Sequence, residues 1–200
     1  MRAVIFGNGD INDYERVSRY IRSGDLIICA DGGQRHASAL GIEPDVVIGD
    51  FDSSEKPKGN VMAYPVRKDF TDGELCVRYA NGRGCGEVLL LGMTGSRYDH
   101  MLSNILMLRQ CEKGYMADDS NEIYYLKNEL ELNGKKGMTL SIIPVKGDLS
   151  GIVTSGLEYP LRGETLFFGE SRGNSNVITE DRCRISVSAG EGVVIVNNGE

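Results

Sequence analysis

The sequence predicts an α/β protein: an N-terminal, mainly parallel open sheet with flanking helices, followed by a small all-β sandwich domain. Three observations predict it. Short apolar runs alternate with helical patterns over residues 1–127, the rhythm of crossover-connected parallel strands. From about Asn128 only β-type runs remain, parted by turn residues such as Asn133-Gly134 and Ala189-Gly190. The first-half strands end in glycine and aspartate, where a ligand-binding rim would lie. Two domains follow, 1–127 and 128–200.

Element by element, Ala3–Phe6 reads as a buried strand that turns at Gly7-Asn8-Gly9-Asp10. A helix is expected from Asn12, with Glu15 three residues on as capping-box partner. Leu26–Ala30 is the second strand, and a helix carries the chain from Asp31-Gly32-Gly33 to Gly41. Val46–Ile48 is the third apolar run, ending at Gly49-Asp50-Phe51-Asp52-Ser53. Thr71 and Glu74 form a second capping box at the head of a helix. Val88–Leu91 is strongly apolar, and the helix from about Tyr98 to Cys111 follows it. In the second half, Thr139–Ile143, Ile152–Thr154, Thr165–Phe168, Cys183–Val187 and Val193–Val196 are the expected strands, with Gly147-Asp148 as one turn between them.

Composition narrows the function. A net charge of −7 without a dense lysine or arginine cluster excludes nucleic acid as the main partner. No apolar stretch reaches the roughly 20 residues of a membrane span, and the N-terminal apolar run is too short for a signal peptide. The five cysteines form no C-x-x-C pair, so reduced thiols and a cytoplasmic location are expected.

The aspartates carry the chemical signal. Asp31 follows the second strand, Asp50 and Asp52 the third, and Asp72 and Asp99 open helices. All five map to one rim of a parallel sheet, where gathered carboxylates repel each other unless a hard cation intervenes. Structural readings stand beside this for single residues: Asp31 as a helix cap, Asp72 and Asp99 as acids favouring a helix dipole. The Asp50/Asp52 pair flanks one aromatic, and strand alternation would put both acids on the same side, which points to metal. Lys68 and Arg97 supply positive charge near the same rim. The turn Gly92-Met93-Thr94-Gly95 before a helix offers backbone N–H groups to phosphate, and Asn8-Gly9 is a second, comparably weak candidate. His100 could bond phosphate or a ribose hydroxyl, or simply open its helix. His36 reads as structural. No serine or cysteine has the histidine and acid of a nucleophile, and the dinucleotide glycine fingerprint is missing.

Ala30-Asp31-Gly32-Gly33, Gly49-Asp50-Phe51-Asp52-Ser53, Lys68-Asp69-Phe70-Thr71-Asp72 and Arg97-Tyr98-Asp99-His100 together resemble the thiamine pyrophosphokinases. Gly156-Leu157-Glu158-Tyr159-Pro160-Leu161 and Gly173-Asn174-Ser175-Asn176 extend the resemblance into the β-rich half. It implies transfer of pyrophosphate from ATP to the hydroxyethyl group of thiamine, with Mg²⁺ as cofactor, giving thiamine diphosphate and AMP. It implies Mg²⁺ on Asp50, Asp52, Asp72 and Asp99, and catalytic roles for Asp72, Asp99, Arg97 and Lys68. ATP would contact Asn8, Gly9, Asp31, Gly32, Gly33, Lys68, Asp69, Thr71, Arg97 and His100. Thiamine would meet Ser175, Asn176 and Phe168, in a homodimer whose site lies between subunits. Two departures stand out: Ser96 where the family often has glycine, and no tryptophan to stack on thiamine. Phe168 stands near the missing aromatic's place, or is an ordinary sandwich-core residue. The alternatives are a pyrophosphokinase acting on another alcohol such as a pterin, and a non-catalytic thiamine or nucleotide sensor.

Overall fold

The computed structural model describes residues 1–51 and 59–198. Asp52, half of the expected acidic pair, lies outside the described residues. The chain divides into two compact units, Met1–Asp119 and Ser120–Glu200.

In the first unit the strands are β1 (Arg2–Phe6), β2 (Leu26–Ala30), β3 (Val46–Gly49), β4 (Val61–Ala63), β5 (Glu87–Leu91) and β6 (Lys113–Ala117). They run in the order β4-β3-β2-β1-β5-β6, and each neighbouring pair is parallel. Every residue of β1 is buried, as expected of a parallel strand covered on both faces. The chain winds outward from β1 through β4, then returns to place β5 on the other side of β1. The order therefore reverses between β1 and β5, where a crevice opens beyond the strand ends.

The helices are α1 (Tyr14–Ser18), α2 (Gln34–Ala39), α3 (Asp72–Gly82) and α4 (Tyr98–Met107). α1 starts later than its expected capping box: Asp13 is the cap, accepting from Arg16 N at 2.8 Å. Asn12 is drawn away, because both its backbone N and its side chain donate to Asp119 at 2.9 Å. At α3, Thr71 Oγ1 accepts from Glu74 N at 3.2 Å, but the Glu74 carboxylate turns to Arg78 rather than back to the cap. Asp31–Gly33 forms a 3-10 turn ahead of α2, and another, Leu108–Gln110, finishes the run after α4.

The second unit holds β7 (Asn121–Leu126), β8 (Glu129–Asn133), β9 (Thr139–Ser155), β10 (Arg162–Leu166), β11 (Asn176–Val177), β12 (Arg182–Ser186) and β13 (Ala189–Asn197). All of its described pairings are antiparallel. β9 corrects the expectation of two strands with a turn between them. It passes straight through Gly147-Asp148, with Gly147 at φ 72° and Gly151 at φ 59° absorbing the bend. Its first half pairs with β13 and β11, its second half with β12 and β10. Leu140, Leu149, Ile152, Ile185 and Val194 are among the buried residues that fill the core of this unit. Among the described residues no helix is long and apolar enough to cross a membrane.

Candidate active site

A cleft of about 630 Å³ opens at the switch point. Its walls come from the loops after β1, β2, β3 and β5, from residues 68–73 and from the first turns of α4. The switch-point loops are stitched together by their backbones. Gly7 N donates to Leu91 O at 2.8 Å, Gly9 N to Gly92 O at 2.7 Å and Asp10 N to Thr94 O at 3.0 Å. A side chain at Gly9 would put its Cβ 2.0 Å from Thr94 O, so only glycine permits the approach. This changes the role expected for Asn8-Gly9, since the Gly9 N–H is spent on protein and is not offered to phosphate. In the β5 loop the Gly92, Met93 and Thr94 carbonyls all accept from protein donors, with Asn104 Nδ2 bonding Met93 O at 3.0 Å. Carbonyls tied back in this way are not free to face an anion in the cleft.

The opposite rim gathers acids. Lys68 Nζ lies 2.7 Å from Asp50 Oδ2 and 3.1 Å from Asp72 Oδ1, which places one cation between two carboxylates. Burial would lower the Lys68 pKa, but its bonds to Asp50 and Asp72 prevail and hold it above the usual lysine value. Asp72 is pushed up by burial, with the charges of Asp50 and Asp31 adding to the effect and Lys68 opposing it. Asp72 Oδ1 is buried and takes its charge partner from Lys68, and among the described residues Asp31 Oδ1 is buried with no hydrogen-bond partner. A Cβ on Gly49 would come within 2.9 Å of Asp31 Cβ, so glycine there lets Asp31 pack close to Asp50. Asp31 and Phe51 hold φ values of 43° and 54°. Such backbone is uncommon away from glycine and gathers at functional sites.

Not every expected residue joins this rim. Asp99 is 65% exposed and held by Arg97, Nε to Oδ1 at 2.9 Å and Nη2 to Oδ2 at 2.7 Å. Those hydrogen bonds hold its pKa well below the carboxylate range. Asp99 does not line the cleft, whereas Arg97 and His100 do. Asp69 and Thr71 line it as well. Gly32 and Gly33 do not line it. They let the turn before α2 pack against the Asn8 side chain and the Phe6 carbonyl. In the second unit, Asn176 Oδ1 accepts from Tyr159 N at 3.1 Å and its Nδ2 donates to Tyr159 O at 2.8 Å, so its amide is already engaged. Ser175 has φ 60°. Phe168 is 62% exposed, which removes the reading of a core residue.

Residues that sequence reasoning left aside also contribute. Asn104 anchors the β5 loop. Phe70 lines the cleft with the Arg78 guanidinium 3.9 Å from its ring centroid. Only the helical spacing of Glu74 and Arg78 in the sequence hints at that stack.

Among the described residues no group of three or more His, Cys, Asp or Glu is close enough to hold a metal alone. Mg²⁺ characteristically takes one or two carboxylates and completes its shell with water and substrate phosphate. The two under-satisfied oxygens of Asp31 and Asp72, with Asp50 beside them, fit that requirement.

A parallel sheet with an acid-lined crevice at its switch point, a lysine between two carboxylates and a glycine loop entering a helix defines a class. It is an α/β fold whose crevice suits a phosphorylated ligand. Comparison with known proteins is specific within that class. The family model "Thiamin pyrophosphokinase, catalytic domain" matches residues 17–118, and "Thiamin pyrophosphokinase, vitamin B1 binding domain" matches residues 125–194. The chain belongs to the thiamin pyrophosphokinase family. It is 27% identical over 201 residues to the thiamine pyrophosphokinase of Bacillus subtilis, covering 93% of this chain and 94% of that protein. It is 26% identical to thiamine pyrophosphokinase 1 of Oryza sativa, covering 80% and 75%. The crystal structure of the Bacillus subtilis thiamine pyrophosphokinase superposes with a TM-score of 0.90 at 25% identity, covering both chains fully. Yeast thiamin pyrophosphokinase, at 16% identity, shares the fold with a TM-score of 0.77 over 98% of this chain and 86% of that one.

Proposed function

We propose that the cleft of the first unit binds ATP and that its acidic rim directs transfer of pyrophosphate to thiamine. The overall reaction is that of the family: thiamine and ATP give thiamine diphosphate, as in the relatives named thiamine pyrophosphokinase. The match of the second unit to a vitamin B1 binding domain sets aside a pterin as acceptor. The observation that carries the site assignment is Lys68 held between Asp50 and Asp72, with Asp31 near enough for its charge to act on Asp72.

Asp50 and Asp72, with Asp31 beside them and Asp52 and Asp99 as further candidates, are the residues we assign to Mg²⁺. When bound, the ion would neutralise phosphate charge and draw electron density from the attacked phosphorus. The chain's own groups do the rest. The β5 loop directs N–H groups at phosphate, and α4 begins just beyond it with its positive dipole end. Lys68 and Arg97 balance the charge that builds on the phosphate oxygens. The thiamine hydroxyl attacks the β-phosphorus in line, and AMP leaves with the bridging oxygen's electrons. The reaction asks mainly for positioning and charge balance. Of the two candidates for taking the hydroxyl proton, Asp72 is favoured because it faces the cleft with an under-satisfied oxygen, whereas both Asp99 oxygens are held by Arg97.

On the acceptor side, Phe168 is an exposed aromatic that can stack on the thiamine pyrimidine, with Ser175 and Asn176 further along the chain as candidates for its polar edge. We read the second unit as a β-sandwich, supported by the way β9 is shared between two sets of antiparallel partners. We read the active form as a homodimer, supported by the exposed stripe Tyr98, Leu102 and Leu106 on α4. The burial of all five cysteines, none of them in a disulfide, supports a reducing, cytoplasmic setting.

The test is incubation with Mg-ATP and thiamine, with the nucleotide and thiamine products separated. Equal amounts of thiamine diphosphate and AMP are expected. ADP with thiamine monophosphate, or no thiamine ester at all, would overturn the assignment.

A further inference from the structure

His36, on α2, is 1% exposed, and both ring nitrogens are engaged. Nε2 lies 2.8 Å from Gly9 O and Nδ1 lies 2.7 Å from the Tyr14 hydroxyl. A carbonyl can only accept, so Nε2 carries the hydrogen and Nδ1 accepts from the tyrosine. One neutral tautomer satisfies both contacts. The adjacent Arg35 donates to Asn8 O at 3.1 Å and to Gly9 O at 2.8 Å. On its other side the ring edge packs against the β5 loop, where a Cβ on Gly92 would fall 3.1 Å from His36 Cδ2. Gly9 and Gly92 are themselves bonded, N to O at 2.7 Å. A single buried side chain therefore touches both loops at the switch point and fixes where their bonded backbones sit.

A histidine that merely satisfied itself in a core would stabilise the fold and leave ligand affinity alone. The bond made here ends on the backbone of Gly9, whose neighbours Asn8 and Asp10 line the cleft, while His36 and Tyr14 do not. We propose that His36 is a positioning residue for pyrophosphate transfer. With the Gly9 carbonyl fixing its tautomer and the Tyr14 hydroxyl donating to its other nitrogen, it locks residues 7–10 against residues 92–95, so the nucleotide's phosphates meet a cradle already in place. The inference rests on reading this cleft as the ATP site. Preorganisation of this kind lowers the ordering cost of binding and keeps reacting groups in register.

The test compares His36→Phe, His36→Gln and Tyr14→Phe with Val17→Ala, a core change on α1 away from the cleft. The readouts are melting temperature, KM for ATP and for thiamine, and calorimetric affinity for a non-hydrolysable ATP analogue with Mg²⁺. His36→Phe is expected to weaken analogue affinity and raise the ATP KM by about 10-fold or more, while the thiamine KM holds. His36→Gln, whose amide can donate to Gly9 and accept from Tyr14, is expected to recover most of the loss. Val17→Ala is expected to lower the melting temperature without moving nucleotide affinity. The inference is overturned if His36→Phe behaves like Val17→Ala, or if the glutamine rescues nothing. Should His36→Phe not fold, Tyr14→Phe decides: a loss of about 3-fold in analogue affinity supports the inference, and unchanged affinity overturns it. A wild type that binds the analogue but makes no thiamine diphosphate refutes the activity, and the variants' analogue affinities still judge His36. A wild type that binds no analogue overturns both readings.

Discussion

Asp72 and Asp99 begin from the same design and end in opposite states. Each is a carboxylate in the first turn of a helix, beyond the sheet, with a basic residue close before it in sequence. Asp72 is half-buried, shares Lys68 with Asp50, faces Asp31 and is driven towards protonation. Asp99 is exposed, held at both oxygens by Arg97 and driven the other way. Among the described residues one rim of the cleft keeps a buried carboxylate oxygen, Asp31 Oδ1, without a hydrogen-bond partner, and the other is already bonded within itself. The difference teaches that position beside a strand end marks a candidate, while the balance of partners decides what it is free to do. Uncompensated charge costs stability and is kept where a ligand repays it.

The largest expected effect breaks the comparison at its acidic end. Asp72→Asn removes one of the mutually repelling charges while preserving shape. Turnover is expected to fall by about 100-fold or more, as loss of a group acting on developing charge does. The melting temperature without ligand is expected to hold or rise, because a buried, under-satisfied carboxylate has become neutral. Thermal shift and product assay on one preparation check both halves. A variant that is less stable and fully active would show Asp72 to be a structural acid.

Asp99→Asn tests the bonded end, with a smaller effect. An exposed ion pair contributes little to stability, so the melting temperature should barely move. Freeing Arg97 from a fixed orientation should lower kcat/KM for ATP by about 10-fold, the scale of one lost charge-assisted contact. If activity instead fell as far as with Asp72→Asn, Asp99 would have to leave Arg97 and reach the reacting atoms, and the contrast between the rims would fail.

How far this contrast was legible in the sequence follows from what makes signals local. β1, β2, β3 and β5 are buried on both faces, so Val4-Ile5-Phe6 and Leu89-Leu90-Leu91 announce themselves. β4 has only two half-buried residues and an exposed one, and β6 begins at Lys113-Gly114, which leaves too little apolar pattern to detect. β7 and β8 are amphipathic and antiparallel, and they fell in the blur between the two rhythms. Gly147-Asp148 carries a turn's composition, yet β9 uses it as a bend, because pairing on both sides overrides local preference. The acids at strand ends could be found because strand direction fixes where ends gather. Their partners were less legible: Arg97 stands two residues before Asp99, but its hold on both oxygens, like the choice of Tyr159 by Asn176 and of Gly9 by His36, depends on contacts that no spacing encodes.

The smallest expected effect concerns the device that holds the bonded rim in place, and it is a matter of pH. Burial lowers the His36 pKa below its ordinary 6.5, with Arg35 pushing the same way and the Gly9 carbonyl and Asp10 opposing. A base whose folded pKa lies below its unfolded value takes up more protons when unfolded. Its contribution to stability is therefore present above pH 6.5 and is lost as pH falls towards the folded value. Wild type should lose melting temperature between about pH 6.5 and 5 faster than His36→Gln, which has no proton to gain there. The two curves should run parallel above pH 7. Melting curves across that range, with and without the ATP analogue, check the sign. Bound nucleotide should delay the acid loss in wild type if the imidazole and the cradle are one unit, since a ligand that needs the locked loops stabilises the neutral ring. Curves that stay parallel through pH 5 would leave His36 an ordinary core residue, and the bonded rim would then owe its order to backbone pairing alone.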